Sequence, residues 1–298
     1  MSRKPQNSPE EYHAGLKRLS WSGYNTYQRC PTAYEFRYVK NKRVPFNAYN
    51  TIGGKTVQRV FELFYNNEIW RRGKDAQKTL LEILEREYSR ILSRETVDWS
   101  AKESKLSREE LYESLIPTIP LTMQVIKDHK LLGRYAKSEI KLQAWIDKTL
   151  VHGIADFVIR RENEHMILDG KLTRHRNKYL KRDQLVWYSM LFYLQHRVLV
   201  DKTGWIFYTY GELEWVPISA EDVSRLHREV EATIKLIKQR KFPATPGEDA
   251  CRFCDFKPIC PAGKEASMNK KVAAGERKQA KLEAAGSPLL NDDPEIGF

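Results

Sequence analysis

The sequence predicts an α/β fold built on a mixed sheet. Three observations carry that expectation. Period-two alternation covers SEIKLQAWI, TLVHGIADFVIR and HMILDGKL in succession between residues 138 and 172. A long amphipathic stretch of helical period follows over about 178–200, and two further strand-like runs, GWIFYTY and LEWVPI, come after it. Strands interleaved with helices in this way bury the apolar stripe of each helix on a sheet.

The elements follow in order. Residues 1–18 are polar and charged and read as a flexible leader. From Leu19 the chain reads as structured, with Ser20 or Ser22 as N-cap of a short aromatic-rich helix that ends at Cys30-Pro31. Residues 40–52 read as loop. A second helix is expected from about Gly54 to Asn66, because Val57, Val60, Phe61 and Phe64 fall on one helical face. Residues 75–132 read as a helical insertion, broken into at least two helices by Pro117 and Pro120. The three alternating runs then form a meander that turns at Asp147-Lys148 and again between Arg161 and Glu164. After the long helix, the last two strands turn at Gly211-Glu212. A final helix over Glu221–Lys241 stops before Pro243 and Pro246. One domain over 19–262 is expected, with residues 263–298 a flexible tail, basic first and acidic at its end.

Composition narrows the function. Of 298 residues, 41% are hydrophobic and 11% aromatic, enough for a sizeable core and against wholesale disorder. The 51 Lys and Arg against 39 Asp and Glu leave a net charge of +12, which suits a polyanion such as nucleic acid. No apolar run approaches the ~18–20 residues that span a bilayer, so no membrane partner is expected. The first residues lack the apolar segment of a secretory signal, and the expected compartment is the cytoplasm.

The chemistry concentrates in the meander. Asp156 lies late in the second strand, in GIAD, and Asp169 closes the third, in ILDGK, with Lys171 two positions on and therefore on the same face. A hairpin register could set Asp156 beside that pair. Two carboxylates on apolar strands repel each other unless a cation joins them, and hard Mg²⁺ or Mn²⁺ accepts carboxylate and phosphate oxygens together. The acid-x-Lys triplet is weak by itself: it recurs at Glu103, Asp128, Glu139, Asp255 and Glu276, where a solvated salt bridge is the ordinary reading. In the next helix Gln184 and Tyr188 share a face at i,i+4 spacing. Lys178, Lys181 and Arg182 precede them and could meet phosphates.

These residues resemble a known family. GIAD, DGK and QLVWY are similar to motifs of the PD-(D/E)XK nuclease superfamily, in the iron–sulfur branch of RecB and AddAB nuclease domains and the CRISPR-associated Cas-four nucleases. The resemblance covers roughly residues 19–262. It implies a restriction-endonuclease-like core, a mixed central sheet flanked by helices. It implies that Asp156, Asp169 and the Gly170 carbonyl hold the catalytic metal, that Lys171 is the catalytic lysine, and that Gln184 and Tyr188 position DNA or support the site. The branch usually carries Gly-x-x-x-His on its first core helix, the His ligating metal. Here Gly54 is followed by Gln58, a weaker ligand or a polar neighbour of the site.

The cysteines extend the resemblance. Cys251, Cys254 and Cys260 crowd into ten residues and Cys30 stands far away. In a reducing compartment such a trio favours metal over disulfides. A Cys₄ zinc site usually takes its ligands as two close pairs. One distant cysteine with a C-terminal trio is instead what the iron–sulfur members show, so the resemblance implies a [4Fe–4S] staple on all four; zinc, which shares thiolate ligands, is the alternative occupant.

GGKT at 53–56 is not a phosphate loop: position 49 is Tyr where the Walker pattern needs Gly, and no buried strand precedes it. Unwinding would therefore come from a partner, such as a helicase; the acidic end NDDPEIGF is similar to the tips of single-strand-binding proteins. The expected function is a metal-dependent DNA exonuclease or end-processing nuclease in recombination, repair or phage or CRISPR DNA processing, acting on DNA with a free end or single strand. The rival reading is a DNA-binding assembly subunit that keeps the fold.

Overall fold

Leu19 is fully buried between an exposed Arg18 and a half-buried Ser20, and this triplet forms the first strand, β1 (Arg18–Ser20). Polar composition predicts a leader up to residue 18, but three residues are too few to show alternation, and β1 is held by its neighbour in the sheet. The computed structural model describes residues 16–44, 47–102, 104–133, 135–161, 163–173, 180–252 and 254–265. The expected leader over 1–15, the tail from 266 on, and Lys178 lie outside the described residues.

Ser20 caps α1 (Trp21–Arg29), accepting the Gly23 amide at 3.2 Å. Cys30 ends that helix and starts α2 (Pro31–Tyr34), which continues in a π-helical turn over Glu35–Val39. The next helix, α3 (Tyr49–Asn66), begins earlier than its apolar period suggests. Its first turn has no side-chain cap at Ala48; instead Asn47 accepts the amides of Tyr49 and Asp98, so a loop some fifty residues away fixes the start. GGKT lies inside this helix, consistent with rejecting a phosphate loop.

The 75–132 stretch forms α4 (Ala76–Leu92), α5 (Arg108–Leu115) and α6 (Thr118–Asp128). Pro117 starts α6, and Pro120 sits in its first turn, where a missing amide costs little. The meander forms β2 (Ala136–Ile146), β3 (Thr149–Arg161) and β4 (Glu164–Lys171). Asp147 and Lys148 both take positive φ, as a two-residue hairpin turn requires. After α7 (Arg182–His196), shorter than its period suggests, come β5 (Lys202–Phe207), β6 (Glu212–Trp215), α8 (Ala220–Lys238) and α9 (Glu248–Arg252).

The sheet is mixed, in the order β1-β3-β4-β5-β6, with β2 on the other edge of β3. β1 with β3 and β4 with β5 are parallel; the remaining pairs are antiparallel. One face carries α3 to α6 over Phe157, Met166, Leu168 and Tyr208. The other carries α1, α7 and α8 over Leu142, Val151, Ala155 and Ile167. The 75–132 segment is thus no appendage: Leu80, Leu84 and Ile119 are fully buried in the first of these cores.

Candidate active site

β3 and β4 pair from Arg161–Glu164 as far as Phe157–Leu168, and there they part. The next residues on each strand are Asp156 and Asp169. Asp156 Oδ2 accepts the Gly170 amide at 2.8 Å, so a side chain takes the ladder's place where the strands diverge. Asp169 is 1% exposed and Asp156 8%. Lys171 Nζ stands 2.5 Å from Asp169 Oδ2, close in distance though off the line of a hydrogen bond.

α7 braces this pair from one side of the sheet. The Gln184 amide donates to Asp169 Oδ1 and to the Tyr188 hydroxyl, each at 3.1 Å, and its carbonyl accepts Lys171 Nζ at 3.3 Å. Tyr188 comes close because it lies on Gly153, where a Cβ would meet its ring at 2.9 Å. From the opposite side α3 supplies Gln58, whose amide donates to Asp156 Oδ1 at 2.8 Å and to Glu139 Oε1 at 2.7 Å. The structure therefore brings Gln58, Asp156, Asp169, Gly170, Lys171, Gln184 and Tyr188 together, and it adds Glu139.

A sequence model of one family matches this chain over residues 18–261, and its description is the PD-(D/E)XK nuclease superfamily. The chain belongs to that superfamily. No curated protein matches it. Among solved structures it is similar to SSO0001 (19% identity, TM-score 0.32, 55% of this chain and 79% of that one). It is also similar to a Eubacterium rectale protein named "Putative exonuclease" (11%, 0.48, 85% and 93%) and to VC1899 of Vibrio cholerae (11%, 0.23, 75% and 57%). None of the three reaches a TM-score of 0.5, so membership of the superfamily rests on the sequence match.

In this PD-(D/E)XK chain the carboxyls are electrostatically poised. Burial, then the Asp169 charge, pushes Asp156 well above the usual carboxyl range, against the Gly170 amide and Lys171. Burial also raises Asp169, against the pull of Lys171. Such a pair resists double ionisation until positive charge arrives. Among the described residues no three of His, Cys, Asp and Glu are gathered closely enough to hold an ion. Lysine and amide nitrogens face the carboxylates instead. The oxygens nearby, those of Asp156, Asp169 and Glu139 and the Gly170 carbonyl, nonetheless suit a hard cation. The Tyr208 hydroxyl, 1% exposed and without a hydrogen-bond partner among the described residues, packs against Gly170, where any Cβ would overlap it.

Two of the three basic residues expected to meet phosphates, Lys181 and Arg182, are among the described residues. Arg182 is bonded to both carboxylate oxygens of Asp222, at 2.7 and 2.6 Å, and to the Pro217 carbonyl at 2.8 Å, tying α7 to the start of α8. Lys181 is exposed.

The four cysteines share one pocket, open to solvent, with Phe36, Pro246 and Phe256 in its wall. The Phe36 and Phe256 rings meet at 5.6 Å and Arg37 pairs with Asp255, so the segment carrying the trio docks beside Cys30 through its own contacts. Burial pushes the Cys30 thiol up, but hydrogen bonds from the Thr245, Ala33 and Thr32 segments outweigh it and leave the thiol below its ordinary value. Burial raises Cys254. No helix among the described residues is long and apolar enough to cross a membrane.

Proposed function

We propose that the chain is a divalent-metal-dependent deoxyribonuclease, an exonuclease or end-processing enzyme with a [4Fe–4S] staple. The observation that carries this reading is the buried Asp156–Asp169 pair with Lys171 2.5 Å from Asp169. Asp156, Asp169, the Gly170 carbonyl and Glu139 would hold Mg²⁺ or Mn²⁺, with Gln58 turning its amide oxygen inward. Bound there, the ion supplies Lewis-acid charge stabilisation and an acidified water. Lys171 presents a cation to the attacked phosphate, and Gln184 fixes both Lys171 and Asp169 through one amide. Tyr188 in turn fixes Gln184.

The four cysteines supply only thiolates, and a cluster needs four of them facing a common space. All four line one pocket, which suits joint ligation; the resemblance favours a cluster there, with zinc as the alternative occupant.

The test is incubation of purified protein with end-labelled DNA and Mg²⁺ or Mn²⁺, beside Lys171→Ala. Release of labelled nucleotides by wild type, lost in the variant while DNA retention persists, is the expected result. Equal cleavage by both would overturn the assignment. A second reading, a DNA-binding subunit without catalysis, is favoured by one observation: Gln58 stands where the branch has His, and its amide nitrogen faces both Glu139 and Asp156.

A further inference from the structure

Among the described residues, a stretch of sheet face beginning at the site is uncovered. Beyond Glu139 and Asp156 the β2–β3 hairpin buries Leu142, Val151 and Ala155 against α1, α7 and α8. Its other side presents Lys141, Gln143 and Trp145 from β2, paired with Ile154, His152 and Leu150 of β3. β1 continues that side with Arg18 beside Leu150. The α3–α6 layer covers this side of the sheet near Ala136 and Phe157 but leaves Lys141, Trp145 and Ile154 exposed. Trp145 is 71% exposed, more than any other large hydrophobic residue described, and Ile154 is 49% exposed. An indole so open adds nothing to the core, and exposed aromatics on a basic sheet face are a recurrent means of stacking unpaired bases.

Charge and continuity point to the same occupant. Arg18 and Lys141 flank His152, which burial and these two cations push down to about 4, so the imidazole adds no charge of its own at neutral pH. None of the residues named on this face is acidic. Glu139 and Asp156 lie two residues from Lys141 and Ile154 along their strands, and Asp147, two residues beyond Trp145, is paired with Lys238. Trp145 lies six residues from Glu139, about 20 Å along a strand.

We propose that this open face is a platform for a single-stranded polynucleotide that leads to the Asp156–Asp169 site, one base stacking on Trp145 and backbone phosphates resting on Arg18 and Lys141. The direction of the platform rests on the nuclease reading. A duplex buries its base faces and offers the indole nothing to stack on, so the preference is for single strands.

The test is fluorescence anisotropy in EDTA, which measures binding without hydrolysis. Labelled oligothymidylate and a labelled duplex are titrated with the full-length chain, Trp145→Ala, Trp145→Phe and Lys141→Glu. Trp145→Ala is expected to weaken single-strand binding roughly five- to a hundred-fold and to leave the duplex nearly unaffected. Trp145→Phe should retain most of the affinity, and Lys141→Glu should weaken binding most at low salt. The exposure of both side chains keeps folding intact, and a thermal melt checks it. Equal single-strand affinity in wild type and Trp145→Ala, or no single-strand binding at all, would overturn the platform whatever the nuclease assay shows. A wild-type dimer that Trp145→Ala dissolves, without an oligonucleotide effect, would also overturn it and give the face to a second copy. Failure of hydrolysis in wild type would overturn the nuclease reading and leave the binding result standing.

Discussion

Glu139 and Asp156 stand opposite one another at the point where both strands of the β2–β3 hairpin reverse their pleat. The pairs on either side are Ser138–Phe157 and Ile140–Ala155, and Phe157 belongs to one core while Ala155 belongs to the other. Glu139 makes the reversal with a φ of +57°, a conformation that costs a residue with a side chain about 1–3 kcal/mol. The reversal lets one sheet bury both faces at one end and open one face at the other, with the carboxylates at the boundary.

The first prediction concerns that pair. Glu139→Gln removes a negative charge beside Asp156 while keeping an acceptor for Gln58. It is expected to raise the melting temperature in EDTA and to lower Mn²⁺ affinity on the order of ten-fold. Melting curves and calorimetric titration with Mn²⁺ check it. A fall in both would make Glu139 a structural residue only.

Tyr208 gives the second. A buried hydroxyl without a partner costs about 1–3 kcal/mol. Tyr208→Phe is expected to recover about 1 kcal/mol or more in metal-free protein, read by urea denaturation. Gly170→Ala forces a methyl into that hydroxyl and should destabilise by more than 1 kcal/mol. Combined with Tyr208→Phe, its cost should shrink, because the atom in closest conflict is gone. Strict additivity of the two substitutions would place the conflict elsewhere.

Much of this site was legible in the sequence, and one more residue could have been. A two-residue turn at Asp147-Lys148 pairs Ile146 with Thr149, and counting outward sets Glu139 against Asp156. Taken alone, Glu139 is one of several acid-x-Lys triplets, and only the hairpin register sets it apart. Other features depend on partners distant in the chain. Arg182 reads as a phosphate contact in the sequence, which does not reveal its pairing with Asp222, forty residues on. β1 has three residues and no detectable period. The start of α3 depends on Asn47 and Asp98, whose contact no local pattern encodes.

The Arg182–Asp222 pair yields the third prediction. Asp222 also accepts the Ser219 amide in the capping box of α8, and Arg182 followed by this bond holds its carboxyl below the ordinary value. A carboxyl lowered in the folded state stabilises fully above its unfolded value of about 3.9 and loses that contribution as pH falls further. Asp222→Ala is expected to cost about 1 kcal/mol at pH 7, the sum of a lost cap and a partly screened surface pair. The difference from wild type should narrow below pH 4 in urea melts. Arg182→Ala should show a smaller loss and no change in the salt dependence of DNA binding; a reduced salt slope would return Arg182 to the phosphate contacts.

The fourth prediction tests the cysteine pocket. Cys30 joins α1 to α2 at the start of the described chain, and the trio follows the whole α/β core, so joint ligation closes a loop of more than two hundred residues. By analogy with a covalent cross-link, that removes about 5 kcal/mol of freedom from the unfolded chain, a figure that depends on the chain-entropy model. It is comparable with the whole stability of an ordinary domain. Protein purified anaerobically is expected to be brown, with stoichiometric iron and sulfide. Cys30→Ser should be colourless and rapidly cut by protease, even though the Phe36–Phe256 and Arg37–Asp255 contacts remain available to hold the two segments together. Its DNA hydrolysis should fall with the folded fraction and keep the wild-type dependence on Mg²⁺ or Mn²⁺, because Asp156 and Asp169 belong to a separate constellation. Zinc without iron in anaerobic protein would remove the cluster and keep the staple. Wild-type protease resistance in Cys30→Ser would remove the staple as well.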